Sequence, residues 1–155
     1  MRITLVVIGK TSEQYLIQGI EQYVKRLKHY TTFSIVELPN IKSIGNINLQ
    51  KEKEAELLLK YFDTQTEVIL LDERGEQFSS VAFSEFINHT MNRSVKHLVF
   101  MVGGAFGFAN SIKQQAKLSI SLSAMTFSHQ MVRLFFTEQL YRAFTIIKGE
   151  KYHNE

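Results

Sequence analysis

The chain has 155 residues, a formal net charge of +3 and no cysteine. This length fits one domain with a sizeable core, and the lack of cysteine excludes disulfides, thiolate metal sites and a cysteine nucleophile. No segment is long and apolar enough to predict a membrane span, and so small a positive charge is weak evidence for a phosphate-rich partner. We therefore expect a single cytoplasmic domain over residues 1–155.

The first part of the chain predicts a strand, a helix and a second strand. Arg2–Ile8 is a nearly continuous apolar run, typical of a central strand covered on both faces. A capping box at residues 11–14 predicts the start of a helix that extends to about Lys28. Thr32–Leu38 is rich in β-branched residues, which predicts a second strand, and Pro39 ends it.

The middle of the chain repeats this alternation. Residues 40–48 predict a polar loop, and residues 67–71 predict a third strand that ends in a charged, turn-like loop over residues 72–75. Ser79 or Ser80 is expected to cap the helix that follows. Two amphipathic helices flank the third strand, and their buried sides are marked by Ala55, Leu58, Leu59 and Phe62 in one, and by Phe83, Phe86, Ile87 and Thr90 in the other.

A fourth strand, a short helix and a fifth strand follow. Residues 96–102 predict the fourth strand, and Asn110 is expected to cap a helix that ends near Gln115. Residues 119–123 predict the short fifth strand. Because strands and helices alternate along the whole chain, we expect an α/β domain with a mostly parallel sheet and helices on both faces.

The last predicted helix is apolar nearly all round. It is expected to begin near Ser128 or His129, to extend to about Lys148 and to end at Gly149. A helix with so little polar surface is buried on more than one side. Its second side is either a subunit interface or the rest of the core, and the pattern does not choose between the two.

Two predicted strands end in loops of small residues. The fourth strand leads into Gly103 and Gly104, with Gly107 close behind, and the fifth leads into the uncharged residues 122–127. Ligands of open α/β sheets bind at the carboxyl ends of strands, and an uncharged loop can hold a flat heterocycle through its backbone. A strand-to-helix turn also explains the glycines, and a buried connection also explains residues 122–127.

Two pairs of polar residues lie on the last helix at a spacing of four, so that each pair shares a helix face. His129 and Arg133 form the first pair. A histidine whose hydrogen bonds are made within the protein, beside an arginine at the surface, is a commoner explanation of such a pair than a catalytic site. Glu138 and Arg142 form the second, and a simple ion pair also explains them. The tail after Gly149 has the composition of a frayed terminus.

Taken together, these residues are similar to one family. The positions that carry the similarity are Gly103, Gly104, Gly107, residues 122–127, His129, Gln130, Arg133, residues 138–143, Tyr152 and His153. They resemble the ribosomal RNA large subunit methyltransferase H family, which belongs to the SPOUT class of α/β-knot enzymes, and the resemblance extends from Arg2 to His153. It implies a trefoil knot in the C-terminal half, which general topology rules would not predict.

The resemblance implies an enzyme that uses S-adenosylmethionine to methylate N3 of a pseudouridine in the large-subunit (23S) rRNA, without a metal. It also implies a homodimer. Since the chain has no separate RNA-binding domain, we expect the assembled ribosome to present the target. The family's cofactor positions fall at the ends of the third, fourth and fifth predicted strands, on Leu71, Gly103, Leu122, Ser123, Ala124, Met125, Thr126 and Phe127.

Proton loss from N3 needs a base or a group that stabilises the anion. Our hypothesis is that His129 or Glu138 assists proton loss. Arg133 and Arg142 are expected to hold the anion or a phosphate. The residues expected to reach the RNA, in part from the other subunit, are Arg142, Tyr152 and His153.

Three positions depart from the family pattern. Family members usually carry proline where Ser128 stands, and serine can still cap the helix. They usually carry a polar residue at Phe106 and leucine at Phe108, so the shape of this loop stays open. Two other functions also stay open: a SPOUT methyltransferase for another RNA such as tRNA, and a non-enzymatic α/β module that binds a nucleotide.

Overall fold

The computed structural model describes residues 1–42 and 45–153. Strands and helices alternate along these residues. In chain order they are β1 (Arg2–Ile8), α1 (Gln14–Leu27), β2 (Thr32–Leu38), α2 (Ile47–Leu58), β3 (Thr66–Gln77), α3 (Ser80–Asn92), β4 (His97–Val102), α4 (Asn110–Gln115), β5 (Leu118–Ser121) and α5 (His129–Ile147), with a 3-10 turn at Leu59–Tyr61 after α2.

The strands form one sheet in the order β2-β1-β4-β3-β5. Every pairing in it is parallel. The three inner strands, β1, β4 and β3, carry the most continuous apolar runs, because they are covered on both faces. The predicted parallel α/β sheet is therefore confirmed.

Helices cover both faces of the sheet, as predicted. α1, α3 and α5 pack on one face, where Phe83 and Phe136 meet Leu5 of β1. α2 and α4 pack on the other, where Leu58 and Ile112 join a second apolar cluster. Because α5 contacts both α1 and α3, much of its apolar surface is buried within the chain itself.

Two predicted helix caps are wrong. The residue at the N-terminal cap of α1 is Glu13, which makes no side-chain cap bond. The hydroxyl of Thr11, which was expected to cap this helix, accepts a hydrogen bond from Arg133 at 3.0 Å instead. The cap of α4 is Ala109, and Asn110 is already the first helical residue.

Two other predicted caps are confirmed. The Ser79 hydroxyl accepts a hydrogen bond from the backbone N–H of Ala82 at 3.1 Å. The Ser128 hydroxyl accepts one from the N–H of Met131 at 3.2 Å. Each serine thereby satisfies a donor that the first turn of its helix leaves without an intrahelical partner.

The predicted loop before α2 is shorter than expected. α2 begins at Ile47, two residues inside the predicted loop 40–48, because the Asn46 side chain caps it by accepting from the N–H of Leu49. Positions 43 and 44 of this loop lie outside the described residues.

β3 is longer than predicted, and β5 ends earlier. Residues 72–75 are part of β3 rather than a turn, because the strand pairs with β5 again after a register shift between Leu71 and Glu76. A Cβ at Gly75 would lie 2.6 Å from backbone atoms of β5, so only glycine allows this approach. Since β5 ends at Ser121, residues 122 and 123 begin the following loop.

After β5 the chain returns from the edge of the sheet towards its centre. Arg133, in the second turn of α5, reaches the backbone of Ile8 and Gly9 at the end of β1. The trefoil knot stays a prediction. None of the helices in residues 1–42 and 45–153 combines the length and apolarity that a membrane span requires.

Candidate functional site

Three parallel strands end at the same level and open into one cavity. Leu71 of β3 lies opposite Val102 of β4 on one side and Ile120 of β5 on the other. The cavity beyond them has a volume of about 580 Å³, which is within the usual range for a small-ligand pocket, roughly 300–1,000 Å³. The cavity therefore lies where ligands bind in open α/β sheets.

The first wall of the cavity is a tight turn after β4. Gly104 and Gly107 pair as an isolated bridge, and the N–H of Gly107 donates to the carbonyl of Gly104 at 3.1 Å. A Cβ at Gly104 would lie 2.6 Å from the carboxylate of Glu54, a side chain that is only 3% exposed. Glu54 in turn accepts a hydrogen bond from Gln50 at 3.2 Å. Both residues belong to α2, so this helix packs against the turn and supports it.

The second wall is the loop of residues 122–128, and its own side chains hold it in shape. The Ser121 hydroxyl donates to the carbonyl of Ser123 at 2.7 Å. The Ser123 hydroxyl accepts from the N–H of Met125 at 2.9 Å. Thr126 donates to Glu73 of β3 at 2.9 Å, which ties the loop to the extended end of that strand.

Several backbone donors of these walls have no internal partner. In the described part of the chain, the N–H groups of Gly103, Leu122 and Phe127 donate to no other backbone group. Gly103 is buried, and Leu122 and Phe127 are half-buried at the cavity, so a ligand there can accept the bonds that these donors do not make within the chain. All predicted cofactor positions line the cavity except Ala124, which lies in the same loop.

A compact ion pair lies at one side of the cavity. Lys113 of α4 contacts the Asp72 carboxylate at 2.6 Å. Burial alone would raise the pKa of Asp72, but the hydrogen bond from Lys113 and one from the Arg74 backbone outweigh it and lower that pKa. Asp72 is therefore ionised at neutral pH, and its charge is offset by Lys113.

His129 is the predicted catalytic residue that lines the cavity. Burial, and then the positive charge of Arg133, lower the pKa of His129 below its ordinary value of 6.5. At neutral pH the imidazole is consequently uncharged, with one ring nitrogen able to accept a proton.

Arg133 does not line the cavity. Its side chain is 0% exposed, and its guanidinium donates to the carbonyls of Ile8 at 2.8 Å and Gly9 at 3.1 Å, and to the Thr11 hydroxyl at 3.0 Å. Its Nε also donates to the carbonyl of His129 at 3.2 Å. These bonds fasten the start of α5 to the end of β1, and the guanidinium is buried outside the lining of the cavity, where it does not reach a substrate.

The other predicted site residues form a separate cluster near the end of α5. Arg142 donates to Glu138 through Nε at 3.1 Å and through a terminal nitrogen at 2.5 Å. Tyr152 also donates to Glu138 at 3.0 Å, and its ring lies 4.7 Å below the Arg142 guanidinium. His153 contacts Arg142 at 3.4 Å. We call these four residues the tail cluster.

Within one chain the tail cluster and the cavity are separated. An α-helix rises about 1.5 Å per residue, so His129 and Arg142 are roughly 20 Å apart along α5. The structure thus brings His129 together with the cofactor positions and leaves the tail cluster outside that group. Neither region, within residues 1–42 and 45–153, contains a group of side chains that could hold a metal ion.

Comparisons with known proteins identify the family to which the chain belongs. Residues 1–153 match the family described as "Predicted SPOUT methyltransferase". The chain is 52% identical over 156 residues to ribosomal RNA large subunit methyltransferase H of Christiangramia forsetii, covering 99% of both chains. It is 50% identical to the protein of the same name from Flavobacterium johnsoniae, over the full length of both. The chain belongs to the ribosomal RNA large subunit methyltransferase H family.

A solved structure agrees with this assignment at the level of the fold. It is that of a probable methylase family protein from Haemophilus influenzae, with a TM-score of 0.56 and 13% identity. The comparison covers 99% of this chain and 70% of the other. As a methyltransferase H family member, the protein is an enzyme of the SPOUT class, and the non-enzymatic alternative is ruled out.

Several residues at the cavity were not predicted as site residues, among them Lys51, Asp72, Arg74, Phe106 and Lys113. Lys51, which lines the cavity, and Glu54, which lies against Gly104, are both on α2. The charged residues at the start of α2 are typical of a solvated helix face. No sequence pattern indicates that the end of β4 lies beside this helix. Phe106 departs from the family pattern, and its place in the lining of the cavity is not evident from the sequence. An aromatic residue between two glycines was the signal that could have identified it.

Proposed function

We propose that the protein transfers a methyl group from S-adenosylmethionine to N3 of a pseudouridine in large-subunit rRNA, on the assembled ribosome in the cytoplasm. The observation that carries the proposal is the cavity at the aligned ends of β3, β4 and β5, in a chain that matches rRNA methyltransferases over its whole length. The names of these relatives favour rRNA over tRNA as the substrate.

The cofactor would be held mainly by backbone atoms. The N–H groups of Gly103, Leu122 and Phe127 are free to bind it, while Leu71 and Met125 offer apolar contacts along the cavity. When bound, S-adenosylmethionine supplies a methyl group that is already activated by a positive sulfur, so the reaction needs no metal. The chain's contribution is to orient the acceptor nitrogen in line with that methyl group and to exclude water, which can supply about 7–11 kcal/mol.

His129 is the base that this geometry favours over Glu138. Its imidazole lines the cavity and is uncharged at neutral pH, whereas the Glu138 carboxylate is occupied by Arg142 and Tyr152. The N3 proton would pass to His129 as the new N–C bond forms and the electron pair of the S–C bond remains on sulfur. General-base assistance of this kind contributes typically 10²–10⁴-fold.

Arg133 would act by position rather than by contact with the RNA. Its bonds to Ile8, Gly9 and the carbonyl of His129 hold the first turn of α5 against β1. This keeps His129 at the cavity, where burial and then the positive charge of Arg133 hold the pKa of its imidazole below the ordinary value. We therefore replace the expectation that Arg133 holds the anion with this positioning role.

The tail cluster would complete the site from a second subunit. Because Arg142 lies roughly 20 Å along α5 from His129, one chain does not join the two parts of the predicted site. In a homodimer the partner's tail cluster can lie over the cavity, where Arg142, Tyr152 and His153 would contact the RNA. The ion pair with Glu138 would then orient Arg142 towards a phosphate or the N3 anion.

The test is methylation of ribosomes from a strain that lacks the gene. Ribosomes, separated subunits, protein-free rRNA and total tRNA are each incubated with the enzyme and methyl-labelled cofactor, and the modified nucleotide is mapped by mass spectrometry. The proposal predicts one labelled pseudouridine in large-subunit rRNA, with efficient transfer only on the ribosome. Labelled tRNA, or equally efficient methylation of protein-free rRNA, would contradict it.

A further inference from the structure

The turn between Gly104 and Gly107 presents an aromatic side chain at the rim of the cavity. The two glycines pair across the base of the turn, so Ala105 and Phe106 form its tip. Phe106 is 45% exposed and lines the cavity. No ring of residues 1–42 or 45–153 packs against it, in contrast to Phe100 and Phe136 in the core, whose ring centroids are 4.5 Å apart.

A second exposed apolar side chain lines the same cavity. Met125, in the loop opposite, is 73% exposed. Single exposed apolar residues are common and need no explanation, but Phe106 and Met125 border one cavity from two different loops. Together they offer apolar surface to a flat molecule that enters the cavity from outside.

Two cations at the same cavity lack a carboxylate partner. Lys51 of α2 and Arg74 of β3 both line it, and within the described residues neither lies within 4.0 Å of a carboxylate, unlike Lys113, which is paired with Asp72. S-adenosylmethionine carries one carboxylate and no phosphate, so its single negative charge offsets at most one of these two cations. Phosphates of an RNA strand can offset both.

We propose that Phe106 stacks against a nucleobase of the RNA strand beside the methylated nucleotide, with Lys51 and Arg74 contacting the phosphates of that strand. The inference rests on the proposed function and adds a binding subsite to it. Proteins recognise unpaired RNA by stacking bases on aromatic side chains and by pairing phosphates with Lys and Arg. Since every base has a π-face, this subsite would orient the strand without reading its sequence.

The test compares Phe106→Ala, Phe106→Leu and Phe106→Tyr with the wild-type enzyme on ribosomes from the deletion strain. Stacking on one base is worth about 5- to 150-fold in affinity. Phe106→Ala is expected to lower kcat/KM for ribosomes by that factor, through KM, while the dissociation constant for S-adenosylmethionine changes less than twofold. Phe106→Tyr is expected to keep the wild-type kcat/KM, because it keeps an aromatic ring. Phe106→Leu, which is apolar but has no π-face, is expected to lose as much as Phe106→Ala.

Leu49→Ala is the matched control, because Leu49 is 47% exposed and does not line the cavity. For the cations, Lys51→Ala is compared with Lys53→Ala, an exposed lysine of the same helix that does not line the cavity. Lys51→Ala is expected to reduce the salt dependence of ribosome binding, since it removes one phosphate contact. Lys53→Ala and Leu49→Ala leave both measurements unchanged.

Three results would overturn the inference. Full activity of Phe106→Ala would exclude stacking, a loss confined to cofactor affinity would assign the ring to the cofactor, and a changed oligomeric state would assign it to the partner subunit. These failures are distinct from failure of the proposed function, in which the wild-type enzyme itself would not methylate the ribosome.

Discussion

Gly104 lies against the buried carboxylate of Glu54. Replacing its α-hydrogen with a methyl group would therefore destabilise the turn. In Gly104→Ala the new Cβ would lie 2.6–2.9 Å from the Glu54 carboxyl atoms, and overpacking of this kind costs about 1–3 kcal/mol. We expect the turn to shift so that the clash is relieved, and the affinity for S-adenosylmethionine to fall by up to about 150-fold, because the native turn and its clash must be restored when the cofactor binds. Calorimetric titration measures this directly.

The matched comparison is the double variant Gly104→Ala with Glu54→Ala, in which the obstructing carboxylate is gone. Part of the lost affinity should return, because the clash is removed even though Gln50 loses its acceptor. Equal affinities of the single variant and the wild-type enzyme would show that the turn does not contact the cofactor.

His129 predicts a characteristic pH profile. Only its uncharged form accepts the N3 proton, and its pKa is held below 6.5 by burial and by Arg133. Activity should therefore have reached its plateau at neutral pH and should fall as the pH drops through the lowered pKa of the imidazole. His129→Gln should lose about 10²–10⁴-fold in kcat and should no longer show this acidic limb.

His89→Ala is the control for this profile, because His89 is an exposed residue of α3 outside the cavity. It should leave both the rate and its pH dependence unchanged. An acidic limb that persists in His129→Gln would assign the proton transfer to a different group.

At the scale of the element, α5 is fixed to β1 through one buried side chain. Arg133→Met removes the donors to the carbonyls of Ile8 and Gly9 and leaves buried acceptors unsatisfied, at about 1–3 kcal/mol for each such group. We expect the free energy of unfolding to fall by about 3 kcal/mol or more, as measured by urea denaturation. Lys53→Ala, on the exposed face of α2, is the control, and a similar small effect of both substitutions would contradict the positioning role.

The start of α5 offers a second prediction. Ser128→Ala removes the cap bond to Met131 and should cost about 1 kcal/mol. Ser128→Pro should cost less, because the backbone φ of −61° at this position already suits proline and proline also restricts the unfolded chain. Thermal unfolding of the two variants gives the order, and a more destabilising proline would contradict this account.

Sequence patterns predicted the strands and helices well, because apolar periodicity depends on local burial. They failed where a distant contact decided the outcome. Thr11 has the right type and spacing for a cap, but Arg133, far away in the chain, takes its hydroxyl. Residues 72–75 have turn-like composition, yet pairing with β5 extends the strand through them. The contact of Glu54 with Gly104 depends in the same way on how α2 packs beneath β4.

At the scale of the whole molecule, the predicted site is divided between the cavity at the start of α5 and the tail cluster. If a partner subunit joins them, the inactive variants His129→Ala and Arg142→Ala should complement each other. A mixed dimer would contain one site with both residues intact, so random pairing should restore about a quarter of the wild-type activity. No recovery, with subunit exchange demonstrated by mass spectrometry, would place the complete site within one chain.

Backbone groups at the ends of β3, β4 and β5 are expected to bind S-adenosylmethionine. Amide hydrogen exchange, measured with and without the cofactor, reports on these groups directly. The N–H groups of Gly103, Leu122 and Phe127, which have no backbone partner in the described chain, should exchange quickly in the free protein and become protected at saturating cofactor. Unchanged exchange at all of them, or protection confined to another part of the molecule, would contradict the account.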